Sequence, residues 1–457
     1  MAPAAHEAAV PRTRGPLGVG ASRSSLPRPA APVTRTPAGR GVRGWRFLAP
    51  PPANVPPMLR PAGLPGRVAL VVLAALVVTG CGREVRSDDP SQPALLAPPS
   101  QAKENLGFPE TATKNTTRVP GTDPTQTAAA IARAVFPDPA RKPSAVTIVD
   151  VTDWRVAVSA SALMAAPFRA PILFSDGTTL PGPSSTALNR LAPTGSKAAG
   201  NAQVIRVGNV AKPAGYKSTD IRGATPLALT RSIAALIRTA RPGVASKIVI
   251  ASSDDPSFAM PAAAYSAKTG DPILFVTKDD IPAETRGALA ALRGLAKPRI
   301  FVLGPSKLIS PAVTKQLKRF GTVKRMGGQD PVTNAIEFAR YRDGTFGWGV
   351  ANPGHGMVFM RTGRPLYAAA AAPLSGAGSY GPLFLLDDGS RLPAALQSQL
   401  LDTQPAYRTD PVAGVYNHGW IIGKTDTISV TAQARIDALL EIVQEQLPGN
   451  LDAAAPN

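Results

Sequence analysis

One cysteine and three histidines in 457 residues leave this chain little material for a metal or redox centre. A single cysteine, Cys81, excludes an intrachain disulfide and any Cys-x-x-Cys zinc spacing. Past residue 80 the only histidines are His355 and His418. Both sit in glycine-containing stretches, with no His-x-x-x-His or His-Glu-x-x-His spacing, and read as loop residues; no metal is expected. Aromatic residues make up 5% of the chain, and no RNA-binding aromatic signature is present. A Gly-x-Ser-x-Gly nucleophile elbow and a Walker loop are also missing. The carboxylate pairs Asp254-Asp255, Asp279-Asp280 and Asp387-Asp388 follow strand-like runs, where Asp caps the next helix or closes a turn. No catalytic residue and no cofactor is expected. The apolar run 68–78 has 11 residues, short of the roughly 20 that span a bilayer.

That short run has a different meaning. Arg60 and Arg67 precede it, and Val78-Thr79-Gly80-Cys81 follows. The pattern resembles a bacterial lipobox, in which the cysteine is lipidated and becomes the mature N-terminus. Residues 58–80 therefore read as a lipoprotein signal peptide with Met58 as the start. Residues 1–57, rich in Pro, Ala and Arg and without apolar periodicity, read as disordered or as a mis-assigned upstream segment. Residues 81–115 are polar and loop-like, a flexible tether, and 449–457 form a tail. Lys and Arg number 50 against 30 Asp and Glu, a net charge of +20. Ten Arg and one Glu fall in residues 1–80, leaving +11 on the remainder. That surplus favours anionic partners, in a salt-dependent way. With an export signal, the available polyanions are cell-wall polymers and lipid headgroups rather than nucleic acid.

What the chain does have is a phrase spoken three times. Val119-Pro-Gly-Thr-Asp-Pro, Ile221-Arg-Gly-Ala-Thr-Pro and Met326-Gly-Gly-Gln-Asp-Pro align Gly121 with Gly223 and Gly328, and Pro124 with Pro226 and Pro331. The spacings are 102 and 105 residues, too long for a solenoid of about 20–50. Asp123-Pro124 and Asp330-Pro331 are helix starts, with Asp as N-cap and Pro at the first helical position, and Thr225-Pro226 does the same in the middle copy. The glycine supplies a tight bend. Each phrase is followed by apolar strands at 145–149, 171–174 and 204–208; at 247–251, 272–275 and 300–304; and at 356–360, 382–386 and 420–423. Small-residue helical stretches at 156–166, 258–268 and 366–373 alternate with them. Continuous β-branched runs alternating with helices predict an α/β fold of three tandem Rossmann-like subdomains with parallel sheets. The copies are expected at 116–218, 219–323 and 324–448.

With lipobox and repeats placed, the chain resembles the cell-wall-binding repeat type 2 family, surface modules of Gram-positive bacteria that occur in sets of three. Its opening pattern, roughly Arg-Ile-x-Gly-x-Asp-Arg-x-x-Thr-Ala, is matched by Arg118, Gly121, Asp123, Thr127 and Ala128 in the first copy. Arg325, Gly328, Asp330 and Ala335 match it in the third. The middle copy keeps Gly223 but has Asp220 and Thr225 where Arg and Asp are usual, and all three copies put Pro in place of the second Arg. Val156-Ala157-Val158 and Phe258-Ala259-Met260 stand where the family usually has Asp-Ala-Leu. Insertions stretch the third copy around 344–356 and 402–417. The resemblance implies three subdomains about a pseudo-threefold axis, binding an anionic wall polymer such as teichoic acid or an acidic polysaccharide in grooves between copies. Arg118, Arg206, Arg222, Lys324 and Arg325 are the candidate polymer contacts, because an Arg fork fits phosphate or carboxylate oxygens. The expected place is the outer face of the cytoplasmic membrane, held by lipid at Cys81 and in contact with the wall. The rival expectations are a solute-binding lipoprotein of a transporter and an enzyme of wall metabolism.

Overall fold

The runs of β-branched and apolar residues form strands because both of their faces are covered. In the computed structural model, Val146, Ile148, Val149, Ile248, Val249, Ile250, Phe359 and Met360 are all fully buried. The structure describes residues 111–445 apart from 245, 293–296 and 379–380. All of these lie in one compact unit. Cys81, the apolar run before it, the upstream segment, most of the tether and the tail fall outside the described residues.

Three parallel four-stranded sheets are built to one plan. The first orders its strands Ile172–Ser175, Val146–Asp150, Val204–Val207, Ser218–Ile221. The second orders them Ile273–Val276, Lys247–Ser252, Arg299–Leu303, Thr322–Met326. The third uses Leu383–Leu386, Gly356–Arg361 and His418–Ile422. Its fourth strand is Thr116–Val119, from the other end of the described chain. Thr111–Ala112 adds a short antiparallel strand outside it.

The phrase is thus a joint. The strand before each glycine closes one sheet, and the helix after it covers the next. Helix α1 (Pro124–Val135) packs on the first sheet's Ile172–Ser175 strand. Helix α2 (Trp154–Ala160) follows that sheet's first strand, and α3 (Gly182–Leu191) its second. Helices α4 (Pro226–Ala240), α5 (Pro256–Thr269), α6 (Ala283–Leu292) and α7 (Pro311–Leu317) serve the second sheet. Helices α8 (Pro331–Arg340), α9 (Pro365–Pro373), α10 (Ala394–Asp402) and α11 (Val430–Leu440) serve the third. Sheet boundaries therefore fall after Ile221 and Met326, a few residues beyond the 219 and 324 read from the phrase. The first module includes residues from 124, and Thr116–Val119 belongs to the third. Periodicity could place the phrase but not tell which sheet its leading strand would join.

Helices α2, α5 and α9 all touch one another. Their faces are small: Ala259, Ala262, Ala263, Ala368, Ala371 and Ala372 are buried in a core cluster that also takes residues from all three sheets. Small side chains let helices approach closely, and packed contact then supplies the stabilisation. At Gly376 an added Cβ would lie 2.6 Å from the Ala267 carbonyl oxygen, so only glycine fits there. Ser159 in the first module donates to the Ile273 carbonyl of the second at 3.0 Å. Part of the third copy's first insertion folds as a hairpin, Arg342–Asp343 against Phe346–Gly347. It seats Phe346 flat on Phe301 of the second module, ring centroids 3.5 Å apart.

Because Thr116–Val119 is paired on both sides, proline there removes a ladder bond. Thr117→Pro should therefore strip hydrogen-exchange protection from 418–422, some three hundred residues away in sequence, and leave 146–150 protected. Equal loss in both strands would contradict the topology.

Candidate functional site

At each phrase the side chains do local work. Asp123 accepts from the Gln126 N–H at 2.9 Å, and Thr225 from the Ala228 N–H at 3.1 Å. Asp330 accepts from the Val332 and Thr333 N–H groups, both at 2.9 Å, and Thr333 returns a bond to the Asp330 N–H. Pro124, Pro226 and Pro331 occupy the first helical position. The glycines are required by close approach rather than by a left-handed backbone. A Cβ on Gly121 would stand 1.9 Å from Thr127 Oγ1, on Gly223 2.6 Å from the Leu229 nitrogen, and on Gly328 2.3 Å from Thr333 Oγ1.

Three of the five candidate polymer contacts turn inward. Arg118 is 3% exposed. Its Nε donates to Gln433 and its two Nη atoms to the Gly423 and Ile428 carbonyls, each at 2.8 Å. Burial lowers its pKa to about 10, which leaves it cationic at neutral pH. Arg325 repeats the arrangement: it donates to the Gly304 carbonyl at 2.7 Å, the Ile309 carbonyl at 2.6 Å and Thr314 Oγ1 at 2.7 Å. Gly304 and Gly423 end corresponding strands, and Thr314 and Gln433 each lie four residues past the Ser cap of the next helix. The guanidinium thus ties the end of a strand to the start of the following helix. Charge-assisted bonds to buried carbonyls are strong, and leaving those carbonyls unpaired is costly.

The first module has no α-helix between Val207 and Ser218, and its clamp is rebuilt. Asp220 stands where the other edge strands carry Arg, and Arg206 comes from the strand beside it. The two are register partners, as Val302 and Arg325 are in the second module. Arg206 donates to the Val210 and Ala211 carbonyls at 2.5 and 3.0 Å and pairs with Asp220 at 2.6 Å. The charge that recurs in this pattern is structural, so Arg118, Arg206 and Arg325 are corrected from candidate ligand contacts to clamps.

Arg222 and Lys324 face solvent, with side chains 87% and 57% exposed, paired to Asp220 at 3.4 Å and Asp343 at 2.8 Å. Around Lys324 the chain is strongly basic: residues 297–325 hold eight Lys or Arg and no Asp or Glu. Among these, Lys307, Lys315, Lys318 and Arg319 are exposed. Repeated or loop-placed charges singled out only Lys324 and Arg325 of this run.

A cleft of about 250 Å³ opens where the first and second modules meet. It lies at the C-terminal ends of the Val146–Asp150 and Val204–Val207 strands, the usual ligand crevice of parallel α/β sheets. Its rim is polar, with Asp150, Thr152, Asp153, Asn209 and Thr225, and its floor is apolar, with Val156, Val207 and Leu229. Asp153 caps α2 and Asp150 accepts from the Thr152 and Gly177 N–H groups at 2.7 and 2.8 Å. The paired carboxylates are similarly engaged: Asp255 caps α5, Asp254 accepts from the Lys278 N–H at 2.9 Å, and Asp388 from the Ser390 N–H at 2.8 Å. Asp280 pairs with Arg286. His355 and His418 adjoin at the start of neighbouring strands, and burial lowers both pKa values. Among the described residues no three His, Cys, Asp or Glu side chains are grouped to hold a metal ion. No described helix is long and apolar enough to cross a membrane.

Among the solved structures that resemble this fold are two from Clostridium difficile. Cwp6 from Clostridium difficile aligns with a TM-score of 0.57 at 18% identity, over 77% of this chain and 51% of that one. Cwp8 from Clostridium difficile aligns with a TM-score of 0.55, also at 18% identity, over 71% of this chain and 52% of that one. The chain spans about half the length of these proteins. No family model and no curated protein sequence matches it. At this identity the likeness establishes the α/β fold with its parallel sheets, and nothing about ligands.

The clamps make a sharp stability test. Arg118→Met should cost roughly 3 kcal/mol, since it orphans two buried carbonyls. Arg206→Val should destabilise, and adding Asp220→Arg should recover at least half of that loss by restoring the second module's arrangement. Denaturant melts read both; no recovery in the double variant would refute the swap. Asp271 gives a pH test. It is 5% exposed, and burial pushes its carboxyl from 3.8 up to about 6, although Lys247 and Arg241 oppose the rise. A carboxyl raised in the folded state contributes stability below its unfolded pKa, and this is lost as pH rises through the folded value. Relative to Asp271→Asn, the native chain should lose roughly 2 kcal/mol between pH 4 and pH 7.

Proposed function

We propose that this chain is an exported, lipid-anchored protein that binds an anionic cell-wall polymer non-covalently and carries out no reaction of its own. The observation that carries the reading is the triplicated α/β fold, which it shares over 77% of its length with Cwp6. Cwp6 and Cwp8 are cell-wall proteins of Clostridium difficile. The lipobox at Cys81 supplies the anchor and the export route in this reading. The cationic surplus supplies the attraction. With three of the recurring arginines committed to the fold, the polymer contacts move to the exposed cations: Arg222, Lys324, and the basic run with Lys315, Lys318 and Arg319. Several weak contacts on one molecule then add through high local concentration, so no single site has to be strong.

The test is retention on purified cell walls, with and without their anionic polymers, across a salt series. Retention should vanish with the polymers and fall as salt rises. Replacing Lys315, Lys318 and Arg319 together with Ser should weaken retention about tenfold at low salt without changing the melting temperature. Equal retention on stripped walls would point to peptidoglycan, and no retention on either would remove wall binding altogether.

A further inference from the structure

In each module a different side chain stands three residues past the cap of the helix after the first strand. In the second module that residue is Phe258, counted from the cap Asp255. Its ring would lie 3.4 Å from a Cβ on Gly304, the glycine that ends the adjoining strand, and with Leu308, 3.0 Å from the same point, it covers that corner. In the third module the residue is Tyr367, counted from Arg364. Its hydroxyl crosses to the first phrase and donates to the Thr122 carbonyl at 3.3 Å. In the first module the residue is Val156, counted from Asp153, and it stops short. Around Gly208, the matching glycine, a Cβ would meet only Leu229. The cleft of about 250 Å³ lies beside Val156, at the position where the other two modules carry an aromatic side chain.

We infer that this crevice is a binding site for one uncharged sugar ring. The volume suits a single hexose. The floor of Val156, Val207 and Leu229 offers an apolar face to the C–H side of a ring. The rim offers the Thr152 and Asn209 side chains to a polyol, and Asp150 and Asp153, though each oxygen already accepts a bond, keep free lone pairs for a hydroxyl. The Thr152 and Asn209 side chains make no hydrogen bond to other described residues. Asp153 is paired with Arg155 at 3.2 Å, but Asp150 has no cation partner among the described residues, and its charge disfavours a phosphate or an acidic sugar at this point. The site is therefore chemically distinct from the cationic surface assigned to the polymer. It rests on the wall-binding reading only for the natural source of the sugar, not for the binding itself.

The test uses methyl spectra of the full-length protein titrated with D-glucose, N-acetyl-D-glucosamine and D-glucose 6-phosphate. Either uncharged sugar should shift the Val207 and Leu229 methyl signals at millimolar concentration, and the phosphate ester should bind at least threefold more weakly than glucose. Val156→Phe, which copies the second module's plug, should weaken binding at least tenfold. Asn209→Ala, at an exposed position whose side chain has no hydrogen-bond partner among the described residues, should weaken it about threefold while leaving the fold unchanged. Absence of shifts with both uncharged sugars, unchanged affinity in the two variants, or tighter binding of the phosphate ester would overturn the inference. Loss of wall retention with sugar binding intact would instead count against the polymer reading alone.

Discussion

Everything in this fold depends on how sheet edges are paired. A parallel sheet of three strands leaves an edge whose N–H and C=O groups need partners. Here each such edge is closed by the strand that leads into the next module. Ser218–Ile221 closes the first sheet, Thr322–Met326 the second, and Thr116–Val119 the third. The last pairing joins Thr116–Val119 to His418–Ile422, so the connectivity is cyclic although the chain is linear. No module is complete without a segment that also begins or follows a neighbour. That explains why the helices α2, α5 and α9 pack together through alanines rather than presenting three separate surfaces.

The guanidinium clamps extend the same constraint to side chains. Each clamp sits where an edge strand meets the end of the strand beside it, a place crowded with carbonyl oxygens that helices and strands leave unpaired. An Arg fork reaches several of them at once. Where the first module drops the helix after its third strand, the carbonyls to be held lie closer, and Arg206 reaches them from one strand further in. The edge position then carries Asp220, which pairs with the displaced Arg. The departure of the middle phrase from the other two is thus a compensated exchange. The crevice beside it is lined by Val156, where the other modules have Phe258 and Tyr367.

Much of the architecture was legible along the chain. The strands expected at 247–251 and 356–360 run 247–252 and 356–361, and the helical stretch 366–373 is α9 at 365–373. Asp123, Thr225 and Asp330 cap helices as their Pro neighbours imply. Two things were not legible. The short leading strands, such as Ser218–Ile221 with only Ile221 buried, are too polar to announce themselves. The recurring arginines looked like ligand contacts because an exported, basic protein with a repeated Arg offers that interpretation first. Burial and partner identity, which reverse it, have no one-dimensional signature.

The sequence by itself determined the number of modules, the order of strand and helix within each, and the residues that start the phrase helices. Those features follow from backbone preference and from apolar runs a few residues long, which act locally. The tertiary structure alone decided which sheet each leading strand joins, whether an arginine meets solvent or carbonyls, and which residues line the crevice between the first and second modules. Those outcomes hang on contacts between distant segments, as when Arg118 donates to Gln433, 315 residues away. A local pattern has no means of encoding such a partner, because the partner's position is fixed only once the sheets have closed.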